Sequence, residues 1–124
     1  MGSVVSDGAS GTIGVFEVCD QGVSRIVAQR VDSLGNLLWG VDGIALCSAS
    51  GKQTQPRIVP DGSGGAIVTF EDARTGVWQI GVQRVSAGGG ELWGLDGVAL
   101  TNQPSGSVAA PRLASDGAGG AIVA

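Results

Sequence analysis

The sequence predicts an all-β protein built from tandem copies of one unit of about 54 residues. Glycine accounts for 23 of the 124 residues, and the apolar fraction of 43% is rich in valine and isoleucine. β-Branched side chains favour the pleated surface of a sheet, and glycine supplies the positive φ that tight turns require. Helix is not expected, because no window of about a dozen residues has helical apolar spacing without glycine.

The repeat emerges when the chain is aligned with itself at a shift of about 54 residues. The segment that begins SDGASGTIGVFEVCD then lies over PDGSGGAIVTFEDAR, and about half of some forty positions coincide without a gap. A further copy begins at PRLASDGAGGAIVA, which matches PRIVPDGSGGAIVT. We therefore expect complete units at 2–53 and 54–107, followed by a partial third unit at 108–124.

Glycine and aspartate divide each unit into four short segments that have the composition of strands. The predicted strands of the second unit are Arg57–Pro60, Ala66–Glu71, Trp78–Ser86 and Glu91–Leu100, the last interrupted by Asp96-Gly97. The motif DGSGG connects the first two strands as a tight turn. The second strand is apolar almost continuously, which predicts that neighbouring layers cover both of its faces.

Four strands in every fifty or so residues, with burial on both faces, describe a blade of a β-propeller. The predicted fold is therefore all-β, with β-propeller-type tandem four-stranded blades, two complete and a third partial. Propellers have about four to eight blades, so these blades do not close a ring. We expect the chain to be a fragment of a longer protein or a protomer that completes a ring with copies of itself.

The motifs DG-x-GG-A-I-V, ED-x-R-x-G, Q-R-V, G-x-x-x-W-G and DG-V-A-L resemble the blade repeat of repetitive β-propellers from environmental bacteria. The resemblance covers essentially the whole chain. Such repeats are often found in large exported or surface proteins, so it implies an extracellular or cell-surface location. The WD dipeptide and GH pair of tryptophan–aspartate repeats are absent from the sequence, and so is the Asp-box of sialidase-type blades.

The charge pattern argues against nucleic-acid and membrane partners. The net charge is −4, and the basic residues are scattered singly, whereas nucleic-acid binding needs a basic patch that neutralises phosphates. No apolar run approaches the roughly 20 residues that cross a bilayer. The first residues have neither the charged region nor the apolar core of a signal peptide.

An aspartate recurs in the glycine-rich turn of each unit, as Asp7, Asp61 and Asp116. Calcium binding is the functional hypothesis, since carboxylates are ligands for hard cations. Each turn offers one carboxylate, however, whereas calcium takes about six to eight oxygen ligands. We therefore predict that these aspartates stabilise the turns by hydrogen bonds to the backbone, and that the chain binds no metal or cofactor.

Arg30 and Arg84 follow the aspartates of their units at the same spacing. Antiparallel pairing of the second and third strands is expected to bring Arg84 opposite Ala66, next to the DGSGG turn. The sequence therefore predicts salt bridges from Arg84 to Asp61 and from Arg30 to Asp7, which anchor the turns.

The acidic pair Glu71-Asp72, matched only by Glu17 in the first unit, is the candidate for acid–base catalysis. Adjacent strand residues point to opposite faces, so the pair does not flank one bond as a glycosidase requires. We interpret it as a solvated strand end that Arg74 neutralises. The chain has no histidine, which excludes Ser-His-Asp and Cys-His systems. We therefore predict no catalytic residues and no enzymatic activity.

The two cysteines, Cys19 and Cys47, both fall in the first unit. The predicted strands place them about twice the 4.8 Å strand spacing apart, whereas the Cα atoms of a disulfide lie about 5.5 Å apart. We therefore expect two free thiols.

Tryptophan provides the remaining candidate for a binding site. Trp39 and Trp93 recur in corresponding positions, where they either pack on the outer strand of a blade or stack against sugars. Trp78 corresponds to Ser24 in the first unit and is therefore the better candidate for contact with a ligand.

The predicted function is that of a non-catalytic binding or scaffold module of an exported or cell-surface bacterial protein. Its partners are the remaining blades of a longer chain or further copies in a homo-oligomer, and its ligand is a carbohydrate or a protein met at the loops. The alternative is part of a propeller-type glycoside hydrolase or a carbohydrate-binding lectin. Carboxylates that converge on the central channel would favour the hydrolase.

Overall fold

A computed structural model describes residues 2–20, 23–46, 53–73, 79–94, 97–99, 113–115 and 121–123. The strands among these residues are β1 (Gly2–Ser6), β2 (Thr12–Asp20), β3 (Val23–Val31), β4 (Ile44–Ala45), β5 (Gln53–Pro60), β6 (Ala66–Asp72), β7 (Gln79–Val85), β8 (Val98–Ala99), β9 (Leu113–Ser115) and β10 (Ala121–Val123). No helix occurs among the described residues, and thus none that could cross a membrane. The predicted all-β fold class is confirmed.

The strands form three antiparallel sheets. The first sheet contains β1 to β4 and the second contains β5 to β8, with the strand order following the chain in both. β9 and β10 form a two-stranded third sheet. The described sheets do not close into a ring. Gln53, which the repeat alignment placed in the first unit, begins the first strand of the second sheet.

The hairpin between β6 and β7 differs from the prediction by one residue. Arg84 pairs with Ile67 rather than with Ala66. β6 continues to Asp72, which pairs with Gln79, so the connection begins one residue later than predicted and every pair of the hairpin shifts. Arg84 nevertheless remains beside the turn that precedes Ala66.

The predicted fourth strand, Glu91–Leu100 with an interruption at Asp96-Gly97, is present only in part: Glu91 forms an isolated bridge with Val85, and residues 92–94 are not strand. Among its described residues only Val98 and Ala99 form a strand, β8, which pairs with β7. Gly94 and Gly97 have φ values of 81° and 78°, which turn the chain away from an extended course. A Cβ atom at Gly97 would overlap the carbonyl oxygen of Val82, so this close approach of two backbones requires glycine.

β5 begins earlier than predicted because it accommodates a bulge. Its pairing with β6 shifts register between Thr54 and Arg57. Gln55 lies within the bulge and has a φ of 54°, a left-handed conformation that is uncommon for a residue other than glycine. The bulge allows β5 to pair with β6 on both sides of the register shift, so the strand begins at Gln53.

One hydrophobic core lies between the first and second sheets, and its buried members come from both: Ile13, Val15, Ile26, Ala28, Trp39, Leu46, Ile58, Ala66, Val68, Phe70 and Val85. The alternate residues of β6, Ile67 and Thr69, are also buried. β6 is therefore covered on both faces, as its continuous apolar sequence predicted. β7 shows the same pattern of burial, so both central strands of the second sheet are enclosed.

The two phenylalanines of the repeat occupy different spaces. Phe70 lies over the cross-strand Gly81, where a Cβ atom would be 2.6 Å from its ring. The equivalent Phe16 instead lies over Gly14 of its own strand, where a Cβ atom would be 3.1 Å away. Its cross-strand neighbour is Val27. Each unit thus has one glycine beside its phenylalanine, but on a different strand.

Candidate functional site

The glycine-rich turns after β1 and β5 are closed by their aspartates. Oδ1 of Asp61 accepts hydrogen bonds from the backbone N–H groups of Ser63 at 2.7 Å and Gly65 at 2.9 Å. Asp7 makes the equivalent two contacts at 2.7 and 2.8 Å. These contacts satisfy backbone donors that the sheet does not pair, as expected for an Asx-stabilised turn.

The second carboxylate oxygen of each aspartate binds arginine. Nε of Arg84 lies 3.1 Å from Oδ2 of Asp61, and Nε of Arg30 lies 3.0 Å from Oδ2 of Asp7. Both carboxylates are buried, whereas the arginines are half-buried. The two predicted salt bridges are therefore present, and each links the turn to the third strand of its sheet.

These contacts keep both aspartates ionised. The backbone N–H of Ala9 is the largest influence on Asp7, and together with Arg30 it holds the pKa of that carboxyl below its ordinary value. Burial raises the pKa of Asp61, but the hydrogen bonds from the backbone of Ser63 and Gly65 and from Arg84 outweigh this effect and leave the pKa lowered. Both carboxylates thus accept the hydrogen bonds of the turn in their ionised form and are poor proton donors.

Arg30 and Trp39 of the first unit also bind the second unit. Nη1 of Arg30 and Nε1 of Trp39 donate hydrogen bonds to the carbonyl oxygen of Ala87, at 2.9 and 3.0 Å. Gly89 approaches so closely that a Cβ atom there would lie 3.1 Å from Cδ1 of Trp39 and 2.9 Å from Cδ1 of Ile44. We call this arrangement, Arg30 and Trp39 on the Ala87 carbonyl, the carbonyl clamp.

The clamp distinguishes between the two interpretations of Trp39. Its indole is buried and donates to the loop of the next unit, and it belongs to a core cluster against which Ile44 of its own outer strand, β4, also packs. Its ring is consequently not open to stack against a sugar. Trp93 occupies the corresponding position in the second unit and is half-buried.

Two glutamines hold the tryptophans, and the sequence-based reasoning gave them no role. Oε1 of Gln29 accepts the backbone N–H of Trp39 at 3.0 Å, and its Nε2 donates to the carbonyl of Gly40 at 2.6 Å. Gln83 makes the same two bonds around Trp93, at 3.0 and 2.7 Å. The recurrence of Q-R-V in both units could have indicated this role, because a glutamine precedes the turn-anchoring arginine each time.

An open cleft of about 580 Å³ lies between the two aspartate turns. Its lining comes from both units: Ser6, Asp7, Gly8, Ala9, Arg30, Pro60, Gly62, Ser63, Gly64 and Ala87. Arg30 is fixed in this cleft, since its Nε binds Asp7 and its Nη1 binds the Ala87 carbonyl. The cleft therefore offers backbone groups, two serine hydroxyls and one oriented guanidinium to a ligand.

A second group of polar contacts joins the units near the other end of β2. Oε1 of Glu17 accepts the backbone N–H of Gln55 at 2.8 Å, across the two sheets, at the left-handed residue of the bulge. Burial raises the pKa of Glu71, with Arg57 opposing and Glu17 reinforcing the change. Glu17 of the first unit therefore contributes to the raised pKa of Glu71 in the second unit.

The interpretation of Glu71-Asp72 as a solvated strand end is wrong for Asp72, which is buried. β6 extends to this residue, which pairs with Gln53 of β5, and alternation along the strand places its side chain on the same face as Phe70, toward the first sheet. Nε2 of Gln53 lies 3.3 Å from Oδ1 of Asp72. Arg74, the predicted neutralising partner, lies outside the described residues.

Several other predicted residues also fall outside the described part of the chain, namely Trp78, Asp116 and Cys47. Cys19 has a free, exposed thiol. Among the described residues no group of three or more His, Cys, Asp or Glu side chains is placed to hold a metal ion.

Comparisons of the chain with protein-family models, curated proteins and solved structures found no match. Both units of the chain make the contacts of the aspartate turn, whereas the carbonyl clamp joins one unit to the next.

Proposed function

We propose that this chain is a non-catalytic repeat module of β-propeller type, whose units dock in tandem into a rigid scaffold for binding. The carbonyl clamp is the main support. Two donors of the first unit converge on one carbonyl of the second, at 2.9 and 3.0 Å, in addition to the shared hydrophobic core. A junction with directional hydrogen bonds as well as apolar packing holds neighbouring units in one fixed orientation.

The binding surface in this proposal is the cleft between the aspartate turns, at the loops of adjacent units. Loops on a rigid scaffold are common sites of binding, because they vary without disturbing the sheets. The ligand class is a carbohydrate or a protein, which the hydroxyls, backbone groups and Arg30 would contact through hydrogen bonds. The resemblance to bacterial propeller repeats supports an exported or cell-surface protein as the setting.

The non-catalytic assignment rests on the state of the carboxylates. Asp7 and Asp61, which lie nearest the cleft, are held ionised by hydrogen bonds and arginine. A general acid for glycoside cleavage needs a raised pKa. Glu71, whose pKa is raised, lies near Glu17 at the other group of contacts. That pair is the observation favouring the alternative, a propeller-type glycoside hydrolase.

Arrays of glycans and of proteins probed with the full chain test the proposal. We expect saturable binding by the wild type. Binding should be lost in Ser63→Tyr, which fills the cleft, and kept in Val41→Tyr, which adds the same side chain at an exposed position outside it. Trp78→Ala distinguishes a site at Trp78 from one in the cleft.

Two results would contradict this function. Absence of binding to both arrays would exclude the ligand-binding role and leave the scaffold alone. Turnover of any substrate in a panel of chromogenic glycosides, abolished by Glu71→Gln, would favour the hydrolase instead.

A further inference from the structure

The face of the first sheet that is turned away from the second sheet is apolar and open to solvent. Val4, Phe16 and Val18 are 61%, 41% and 42% exposed, and the pairing of Val4 with Gly14 places the three on one face. We call these three residues the outer face. Contiguous exposed apolar side chains of this kind mark surfaces that bind another protein.

The repeat shows what such a face is built to contact. At the shift of about 54 residues, the outer face corresponds to Ile58, Phe70 and Asp72 of the second unit. All three are buried, and Ile58 and Phe70 belong to the core shared with the first sheet. The first unit thus covers this face in the second unit, whereas the corresponding face of the first unit is exposed.

The first strands of the units form a continuing stack. β1 packs against β5, and β5 packs against β9. The third sheet repeats the register of the others, because Ala114 pairs with Ile122 as Val59 pairs with Ile67 and Val5 with Ile13. The third sheet therefore has the backbone arrangement on which the first strand of another unit packs.

We propose that the outer face of one copy of this chain docks on the third sheet of a second copy, extending the stack β1–β5–β9 with β1 of the neighbour. The inference rests on the proposed tandem-repeat function, and it identifies a second copy as the partner. The contact is head-to-tail, since it joins two different surfaces. Such contacts give closed rings where the rotation closes and filaments where it does not.

Sedimentation velocity of the full chain over a range of concentrations tests for this association. We expect the wild type to increase in mass with concentration. Val4→Lys places a charge on the outer face, so it should weaken association by about tenfold or more. Val41→Lys, at a loop position that is 86% exposed and outside the outer face, is the matched control and should associate as the wild type does.

Mixing two variants tests the head-to-tail geometry. Ile122→Lys changes the third sheet at the register equivalent of Ile13, and leaves the outer face intact. Alone, Val4→Lys and Ile122→Lys should each be mainly monomeric at a concentration at which the wild type is associated. Mixed in equal amounts they should form a dimer and nothing larger, because one intact pair of surfaces remains. Circular dichroism checks that both variants are folded.

Three results would overturn the inference: a wild type that is monomeric at every concentration, a Val4→Lys variant that associates like the wild type, or a folded pair that gives no dimer on mixing. These outcomes are separate from those of the arrays. A monomeric wild type that binds a ligand contradicts only the docking, and an assembled wild type without a ligand contradicts only the binding role.

Discussion

Gly81→Ala should destabilise the protein, although glycine in a strand is ordinarily improved by alanine. The added Cβ atom would lie 2.6 Å from Cε2 and 2.8 Å from Cζ of Phe70. Phe70 is fully buried in the core between the sheets, so its ring can shift only against other core side chains. Overpacking of this kind costs about 1–3 kcal/mol, which exceeds the gain of about 0.5–1 kcal/mol from replacing glycine in a strand.

Gly14→Ala is the matched control in the first unit. There the Cβ atom would lie 3.1 Å from the ring of Phe16, which is exposed on the outer face and can shift away. The strand preference should then dominate, so the free energy of unfolding should be unchanged or up to about 1 kcal/mol higher than that of the wild type. The two substitutions add the same methyl group and should have opposite effects.

Urea unfolding of both variants measures this difference, with equal slopes indicating that only stability has changed. In the Gly81→Ala background, Phe70→Leu should restore part of the loss, and a double-mutant cycle gives the coupling between the two sites. Equal stability of Gly81→Ala and wild type, or a larger loss for Gly14→Ala, would refute the packing argument.

Other predictions concern the junction and its titrating groups. Trp39→Phe keeps an aromatic ring but removes the Nε1 donor to Ala87, so urea unfolding should show a loss of about 1 kcal/mol, and no loss would contradict the clamp. Asp61→Ala leaves two backbone N–H groups without their acceptor, at about 1–3 kcal/mol for each, and should lower the thermal midpoint far more than changes at exposed loops. Because the folded-state pKa values of Asp7 and Asp61 are lowered, the stability they contribute is complete above the unfolded carboxyl pKa of about 4 and is lost as the pH falls through the folded-state values. Thermal midpoints should therefore fall more steeply on acidification for the wild type than for Asp61→Asn, and parallel curves would argue against this linkage. The pKa of Glu71 is raised, so its ionised form destabilises the folded state at neutral pH, and Glu71→Gln should raise the thermal midpoint there. This gain should disappear as the pH falls through the folded-state pKa of Glu71. A gain that persists in acid would show that ionisation is not its cause.

The aspartate–arginine pairs could be predicted because both partners recur at one spacing and hairpin geometry brings them together. The register of Arg84 was wrong by one residue, since apolar residues fill β6 on both faces and give no alternation from which to fix the end of the turn. The burial of Asp72 was missed because the predicted strand ended at Glu71. The end of a strand depends on its partner, and the bulged β5 reaches back to pair with this residue.

The acceptor of the carbonyl clamp could not be predicted from the sequence. The acceptor is the backbone of Ala87, and every residue has a carbonyl, so side-chain identity does not mark it. The donors were visible as recurring residues, but Arg30 was assigned only to its own turn. Contacts between units depend on the relative placement of two sheets, which the repeat alone does not define.

The different positions of glycine beside the two phenylalanines restrict how the repeats can recombine. The first unit combines Gly14 on its second strand with Val27 on its third, whereas the second unit combines Val68 with Gly81 at the corresponding positions. A genetic exchange with its breakpoint between the second and third strands would combine valine with valine, crowding the ring, or glycine with glycine, leaving a void. Exchange in the loops between units keeps each matched pair together. Whole units, rather than hairpins, are therefore the segments that can be duplicated or swapped in this chain without loss of packing.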